Sequence, residues 1–230
     1  MKYAVISDVH ANYPALKSVI DSVENKVDGV IFLGDLIGLM GYPYETAELL
    51  MDLQPEHSLK GNHDIAVLEY GEGHVNSKEL SDFELNITED NLTEEQVEWI
   101  TEKPTYKEIK KQGLVMSHAK PTPELSSGIE KGNAGLKKRD YIKASSQLAD
   151  DFNFILVGHT HNQSKLDCSK FGHDIIVVNP GSVGQPIDKP AEYAIIDTDA
   201  CTAELKTVDF DGDEVKEHLK SIDCPIKWWL

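Results

Sequence analysis

Four short clusters of aspartate, asparagine and histidine, each set at the end of a short apolar run, constrain this chain more than any other feature. They are Ser7-Asp8-Val9-His10, Gly34-Asp35, Gly61-Asn62-His63-Asp64 and Gly158-His159-Thr160-His161. Residues 2–7, 30–33 and 154–157 are apolar runs bounded by turn residues, the pattern of buried strands, and 57–60 is a weaker one. Between the first two runs Pro14 opens a helix at its first turn, with Leu16, Val19, Ile20 and Val23 on one face. A strand, a helix and a second strand imply a parallel pair with a crossover. Ligands of such sheets gather beyond the carboxyl ends of the strands. Asp8, His10 and Asp35 all fall there.

The remaining chain continues this plan with one interruption. Residues 38–43 are a glycine-bearing loop and 45–53 a second helix. From 65 to 112 the strand rhythm stops in a polar, acidic stretch. Thr93-Glu94-Glu95-Gln96 inside it is a helix start. Its apolar residues are too few for a core of its own, so it reads as a helical insertion in a single domain spanning residues 1–230. Residues 113–117 resume the sheet and end at His118. Residues 119–139 read as a long loop or lid. A helix over 141–150, strands at 165–168 and 175–178, a hairpin of 192–198 with 202–209 and a helix over 213–221 complete the chain. The turn Asn179-Pro180-Gly181-Ser182-Val183-Gly184 follows the second of those strands. The final residues, 226–230, are apolar enough to suggest packing on the body or on a second subunit of a homo-oligomer.

Charge and cysteine content narrow the function. The net charge of −18 repels phosphate backbones, which argues against an extended nucleic-acid groove but permits a small phosphorylated substrate at a cationic centre. Arg139 is the only arginine, so no clamp of two guanidinium groups exists. Cys168, Cys201 and Cys224 form no CxxC pair and read as free thiols. No apolar run has membrane-spanning length, and the first residues read as a strand and not a signal peptide. These features place the protein in the cytoplasm, away from membranes.

Asp8, His10, Asp35, Asn62, His118, His159 and His161 make a mixed nitrogen–oxygen donor set without thiolate, at the ends of five strands. Such a set suits manganese, iron, zinc, cobalt or nickel better than calcium or magnesium. Two ions roughly 3.5–4 Å apart need about this many ligands and one bridging carboxylate. The pair acidifies a water and offsets the charge of phosphate oxygens, which removes the need for arginines. His63 is left over beside the ligands, suited to protonate a leaving alkoxide. His57, His74, His173 and His218 read as surface or packing residues, and the turn at 179–184 as structural.

Asp-x-His, Gly-Asp, Gly-Asn-His-Asp, a later histidine and Gly-His-Thr-His, in this order, resemble the calcineurin-like metallophosphoesterases. The Ser-Asp-x-His start and the Asn-Pro-Gly-Ser-Val-Gly turn bring the chain closer to their small bacterial and archaeal branch. The resemblance implies an α/β fold, a four-layer α/β/β/α sandwich of two mixed β-sheets flanked by helices. It also implies Asp8, His10 and His161 on one metal, Asn62, His118 and His159 on the other, and Asp35 between them. Two divalent ions per chain, with manganese the first choice, would supply a hydroxide that attacks phosphorus in line. Asn62 and His63 would touch the phosphate, and His63 would act as general acid.

Two departures sharpen this expectation. The serine/threonine phosphatases of the superfamily carry Gly-Asp-x-x-Asp-Arg-Gly, whereas residues 34–40 here are Gly-Asp-Leu-Ile-Gly-Leu-Met. The aspartate that steadies the catalytic histidine and the phosphate-binding arginine are both absent, which counts against a protein phosphatase. Asp64 becomes a candidate to orient His63. The fourth motif, usually His-Gly, is His118-Ala119. A phosphodiesterase is the leading expectation, with a phosphomonoesterase or nucleotide polyphosphate hydrolase as the alternative. A non-catalytic scaffold of the same fold would be expected to lose ligands, and none is lost.

Overall fold

A computed structural model describes residues 1–71, 78–121 and 138–225. Among the described residues ten strands form two mixed five-stranded sheets. The first sheet has the order β10-β9-β1-β2-β3, built from β1 (Lys2–Ile6), β2 (Gly29–Phe32), β3 (His57–Ser58), β9 (Ala191–Asp197) and β10 (Thr202–Val208). The second has the order β4-β5-β6-β8-β7, from β4 (Tyr106–Ile109), β5 (Leu114–Ser117), β6 (Phe154–Val157), β7 (Ser164–Asp167) and β8 (Ile176–Asn179). β1, β2 and β3 run parallel, as do β5, β6 and β8. The antiparallel strands β10, β4 and β7 take sheet edges.

Side-chain alternation along the strands explains the layers. Tyr3 and Val5 of β1, with Ile31 of β2, pack against Leu114, Met116, Phe154, Leu156 and Val178 of the other sheet. Ala4, Ile6, Val30 and Phe32 point the other way, onto Leu16, Val19 and Val23 of α1 (Tyr13–Val23) and Ala47 and Leu50 of α2 (Pro43–Leu53). On the far side Val115, Ile155, Val157 and Val177 meet Ala144 and Leu148 of α6 (Lys138–Leu148). A sheet buried on both faces needs continuous apolar strands, which is why those runs are legible. The result is the expected sandwich of two sheets between helices.

The stretch expected as a helical insertion, with the residues just before it, is not purely helical. It contains α3 (Asn62–Tyr70), α4 (Lys78–Asn91) and α5 (Glu94–Thr101), but also the edge strand β4 and a short 3-10 turn at Lys110–Gln112. β4 escaped detection because it is half exposed and places Lys107 and Glu108 between Tyr106 and Ile109. The start of α5 is as expected: Thr93 Oγ1 accepts the Gln96 N–H at 3.2 Å, and Gln96 Oε1 accepts the Thr93 N–H at 3.0 Å.

Smaller differences also have physical reasons. β3 is only two residues long: Leu59 N–H still donates to the Phe32 carbonyl at 2.9 Å, but Lys60 N–H turns to the Pro104 carbonyl at 3.0 Å. α6 is described from Lys138, the first described residue of its stretch, and α7 (Gly212–Ser221) is capped by the Asp211 carboxylate, which accepts the N–H groups of Asp213 and Glu214. Cys168 begins a 3-10 turn and is no strand residue; Cys168, Cys201 and Cys224 are free thiols. Most of the expected lid, His74 and the apolar tail lie outside the described residues. No described helix is long and apolar enough to cross a membrane.

Candidate metal centre

The parallel strands of both sheets deliver their carboxyl ends to one edge of the sandwich. Asp8 and His10 follow β1, Asp35 follows β2, and Asn62 opens α3 after β3. His118 follows β5, and His159 and His161 follow β6. The seven residues proposed from the sequence as ligands are therefore neighbours in space although up to 153 positions separate them (8 to 161).

Two groups of donors can be distinguished. In the first, His10 Nε2 lies 3.0 Å from His161 Nε2, and Asp8 Oδ1 is 3.3 Å from His161 Nε2 and 4.0 Å from that of His10. In the second, Asn62 Oδ1 is 3.1 Å from His118 Nε2 and 2.6 Å from His159 Nδ1, while Asp35 Oδ2 is 3.2 Å from His118 Nε2. Asp35 also belongs to a donor group with His10 and His63, so it stands between the two. Within each of the sets Asp8-His10-His161, His10-Asp35-His63 and Asp35-His118-His159 the donor atoms lie within 4.8 Å of one another.

The donor chemistry fits divalent cations. Asp8 Oδ1 is fully buried, and its nearest polar neighbours are the imidazole nitrogens of His161 at 3.3 Å and His10 at 4.0 Å, with no well-formed hydrogen bond to either. A buried carboxylate oxygen in that condition is costly unless a cation satisfies it. His118 Nδ1 lies 2.9 Å from the Leu33 carbonyl, to which it donates, so Nε2 is the nitrogen that faces the site and would ligate a cation. His10 is held well below the usual imidazole pKa by burial, then by the neighbouring His63 and His161, which keeps its ring neutral and able to ligate. Burial opposes ionisation of Asp35, yet His118 and His63 beside it hold the carboxyl well below the usual range. Burial would lower His118 too, but the Asp35 carboxylate outweighs it and raises the pKa to about 9. Anions and imidazoles thus share protons in the space where cations would bind them.

The backbone is bent to present these side chains. Asp8, His10, Asp35, His159 and His161 all take left-handed conformations, with φ between +51° and +65°. Each costs about 1–2 kcal/mol for a non-glycine residue, so such a set persists only where the surroundings enforce it. The enforcing contacts are visible. Asp8 N–H donates to the Gly34 carbonyl at 3.0 Å, and Val9 and His10 N–H donate to the Asp35 carbonyl at 2.8 and 3.1 Å. His159 N–H donates to Asp8 Oδ2 at 3.0 Å, and His63 N–H to Asp35 Oδ1 at 2.8 Å.

The turn at 179–184 is a brace, as its structural reading requires. Val183 and Gly184 N–H donate to the carbonyls of Ser7 and Asp8, and the Ser182 hydroxyl donates to the Asp8 carbonyl at 2.8 Å. Asn179 Nδ2 donates to the Gly158 carbonyl and to Thr160 Oγ1, fixing the loop that carries His159 and His161. Asn12 caps α1 with its oxygen and donates to the Gly184 carbonyl at 2.9 Å. His57 bonds Gln112 at 2.6 Å, and His218 stacks on Tyr42 and bonds the Gly41 carbonyl, so both are packing residues. Ala119 packs against Ile65, which uses its methyl group away from the donors.

Two residues differ from expectation. Asp64 does not orient His63. Its carboxylate accepts the N–H groups of Gly61, Asp35, Leu36 and Ile37 at 2.8–3.2 Å and ties the second cluster to the third. Adjacent helical residues do not face one another, so Asp64 in the first turn of α3 points away from the His63 ring. Glu84 of α4 meets the His63 ring, with its Oε1 3.1 Å from Nδ1. One acid in a helix rich in acids carries no sequence signal.

The site is buried except at two of its histidines. Asp8, His10, Asp35, Asn62 and His118 are buried, whereas the side chains of His63 and His161 keep 12% and 28% of their surface. The His63 and His10 rings meet edge-on with centroids 4.7 Å apart. Burial lowers the His63 pKa, but Asp35 and then Glu84 outweigh it, and the net shift is upward. His161 is likewise raised, with Asp8 overcoming burial.

Comparison with known proteins assigns the chain. The model of the calcineurin-like phosphoesterase superfamily domain matches residues 1–201. The chain belongs to this family. It is also 30% identical over 245 aligned residues to an uncharacterized protein of Methanocaldococcus jannaschii, covering 94% of this chain and 90% of that one. A crystal structure of a metallophosphoesterase from Sphaerobacter thermophilus matches with a TM-score of 0.74 at 24% identity, covering 98% and 95% of the two chains. A hypothetical protein from Pyrococcus horikoshii matches with a TM-score of 0.80 at 19% identity, covering 97% and 94%. The two solved structures establish a shared fold; the site has to be argued from its own geometry.

Proposed function

We propose that this metallophosphoesterase hydrolyses a small phosphodiester with two divalent metal ions. One observation carries the reading: two donor groups, Asp8-His10-His161 and Asn62-His118-His159, flank a single buried carboxylate, Asp35, with His63 beside them. Each group would hold one ion, and Asp35 would be shared. Manganese suits the nitrogen–oxygen set, and iron, zinc, nickel and cobalt are accepted by the same donors. When bound, the ions supply charge neutralisation for phosphate oxygens and acidify a water near neutral pH.

The chain's own groups account for the rest of the chemistry. Asn62 brings its amide oxygen to the inner donors and sits one residue before His63, so both can meet the phosphate. His63 is fixed by its N–H on Asp35 Oδ1 and by its ring contact with Glu84. With Nδ1 engaged, Nε2 is the nitrogen that passes a proton to the departing oxygen as the P–O bond breaks. The buried floor of the site excludes bulk water, while the His63 and His161 side admits the substrate.

Charge favours a diester. The protein's net charge of −18 repels a monoester dianion more than a diester monoanion. Arg139, the one guanidinium, pairs with Asp140 at 3.7 Å, and its side chain is 78% exposed. The acidic surface also argues against an extended nucleic-acid partner, and the free cysteines suit the cytoplasm.

The test compares an aryl phosphate diester with the matching monoester, with Mn²⁺ and with chelator. Turnover of the diester should exceed that of the monoester, and chelator should abolish it. Preference for the monoester would replace the diester reading with a phosphomonoesterase. Equal silence toward both, with two ions bound, would favour a scaffold.

A further inference from the structure

We propose that Glu84 is the positioning residue of His63, delivered to the site by the insertion. This rests on the general-acid reading of His63 and extends it to a residue outside the motifs. Glu84 is fully buried on α4, and its Oε1 lies 3.1 Å from His63 Nδ1. A buried carboxylate needs a partner to offset its desolvation. Glu84 and Thr88, four residues apart on one face of α4, are both buried. Phe83 and Leu85 on either side pack into two different apolar clusters, and α4 rests on α2 and α3. The helix is thereby anchored around the carboxylate.

Gly38 completes the arrangement. A Cβ built there would collide with Glu84 Oε1 and come within 3.0 Å of His63 Nδ1. The backbone at Gly38 has φ +84°, which also disfavours a side chain. Gly38 is the position at which Gly-Asp-x-x-Asp places its second aspartate. In this chain that position is bare, and a carboxylate from a distant helix fills the space above it. The accepted bond holds Nδ1–H and orients the ring, so that the proton the imidazolium gives up is the one on Nε2.

The experiment uses the Mn²⁺-loaded protein, Glu84→Ala and Glu84→Gln, and phosphodiesters with poor (phenyl) and good (nitrophenyl) leaving groups. Only a poor leaving group needs the proton. Glu84→Ala should lose about tenfold or more on the phenyl diester and at most about threefold on the nitrophenyl one, less than deletion of the acid itself. Glu84→Gln, whose carbonyl accepts the same Nδ1–H, should recover most of the loss. In parallel, the His63 Nδ1–H resonance, identified by its absence in His63→Ala, should be present in the metal-free wild type and lost in Glu84→Ala. If Glu84→Ala does not fold, Glu84→Gln should still show the resonance, shifted.

Equal losses on both leaving groups, or an unchanged resonance in a folded Glu84→Ala, would overturn the assignment. If His63→Ala itself proves indifferent to the leaving group, the general-acid reading fails. The resonance then still decides whether Glu84 holds the ring.

Discussion

Asp35→Asn should lower kcat/KM by about 10³-fold or more while leaving the protein folded, because it removes the one charge shared by both donor groups. The side chain is buried, with Oδ1 accepting the His63 N–H at 2.8 Å and Oδ2 lying 3.2 Å from His118 Nε2. Asparagine has the same shape and can still accept the His63 N–H, so the strapping of the third cluster survives. The anion opposite His118 and His10 does not survive. Bound metal, measured by elemental analysis of the dialysed protein, should fall below two ions per chain. A variant that keeps two ions and normal turnover would show that Asp35 is only a turn residue.

His63→Ala is expected to act on chemistry alone. Turnover of a phenyl diester should fall by about 10²–10⁴-fold, the range for losing a general acid. The nitrophenyl diester should lose far less, since its leaving group departs without a proton. Metal content should hardly move, because the donor groups around Asp8 and Asn62 do not need this ring. An equal loss on both diesters accompanied by lost metal would instead make His63 a ligand, consistent with its place in the donor group of His10 and Asp35.

Much of this architecture was legible because buried parallel strands leave continuous apolar runs. Residues 2–7, 30–33 and 154–157 announced β1, β2 and β6, and the polar clusters at their ends marked the site's edge. The edge strand β4 was not legible, since Lys107 and the exposed Glu108 interrupt any apolar run. Asp64 and Glu84 show a different limit. Beside His63 in sequence, Asp64 looks like its partner, but the helix turns it toward four backbone N–H groups. Glu84 is 21 positions away and is brought in by tertiary packing alone. The left-handed backbone of Asp8, His10, Asp35, His159 and His161 is also invisible in residue type, because none of them is glycine.

The central claim is that these strand ends hold two metal ions about Asp35. Anomalous diffraction from crystals soaked in Mn²⁺ tests it most directly. Two peaks should appear about 3.5–4 Å apart, one among Asp8, His10 and His161 and the other among Asn62, His118 and His159, with Asp35 between them. A single peak, or peaks remote from Asp35, would contradict the account.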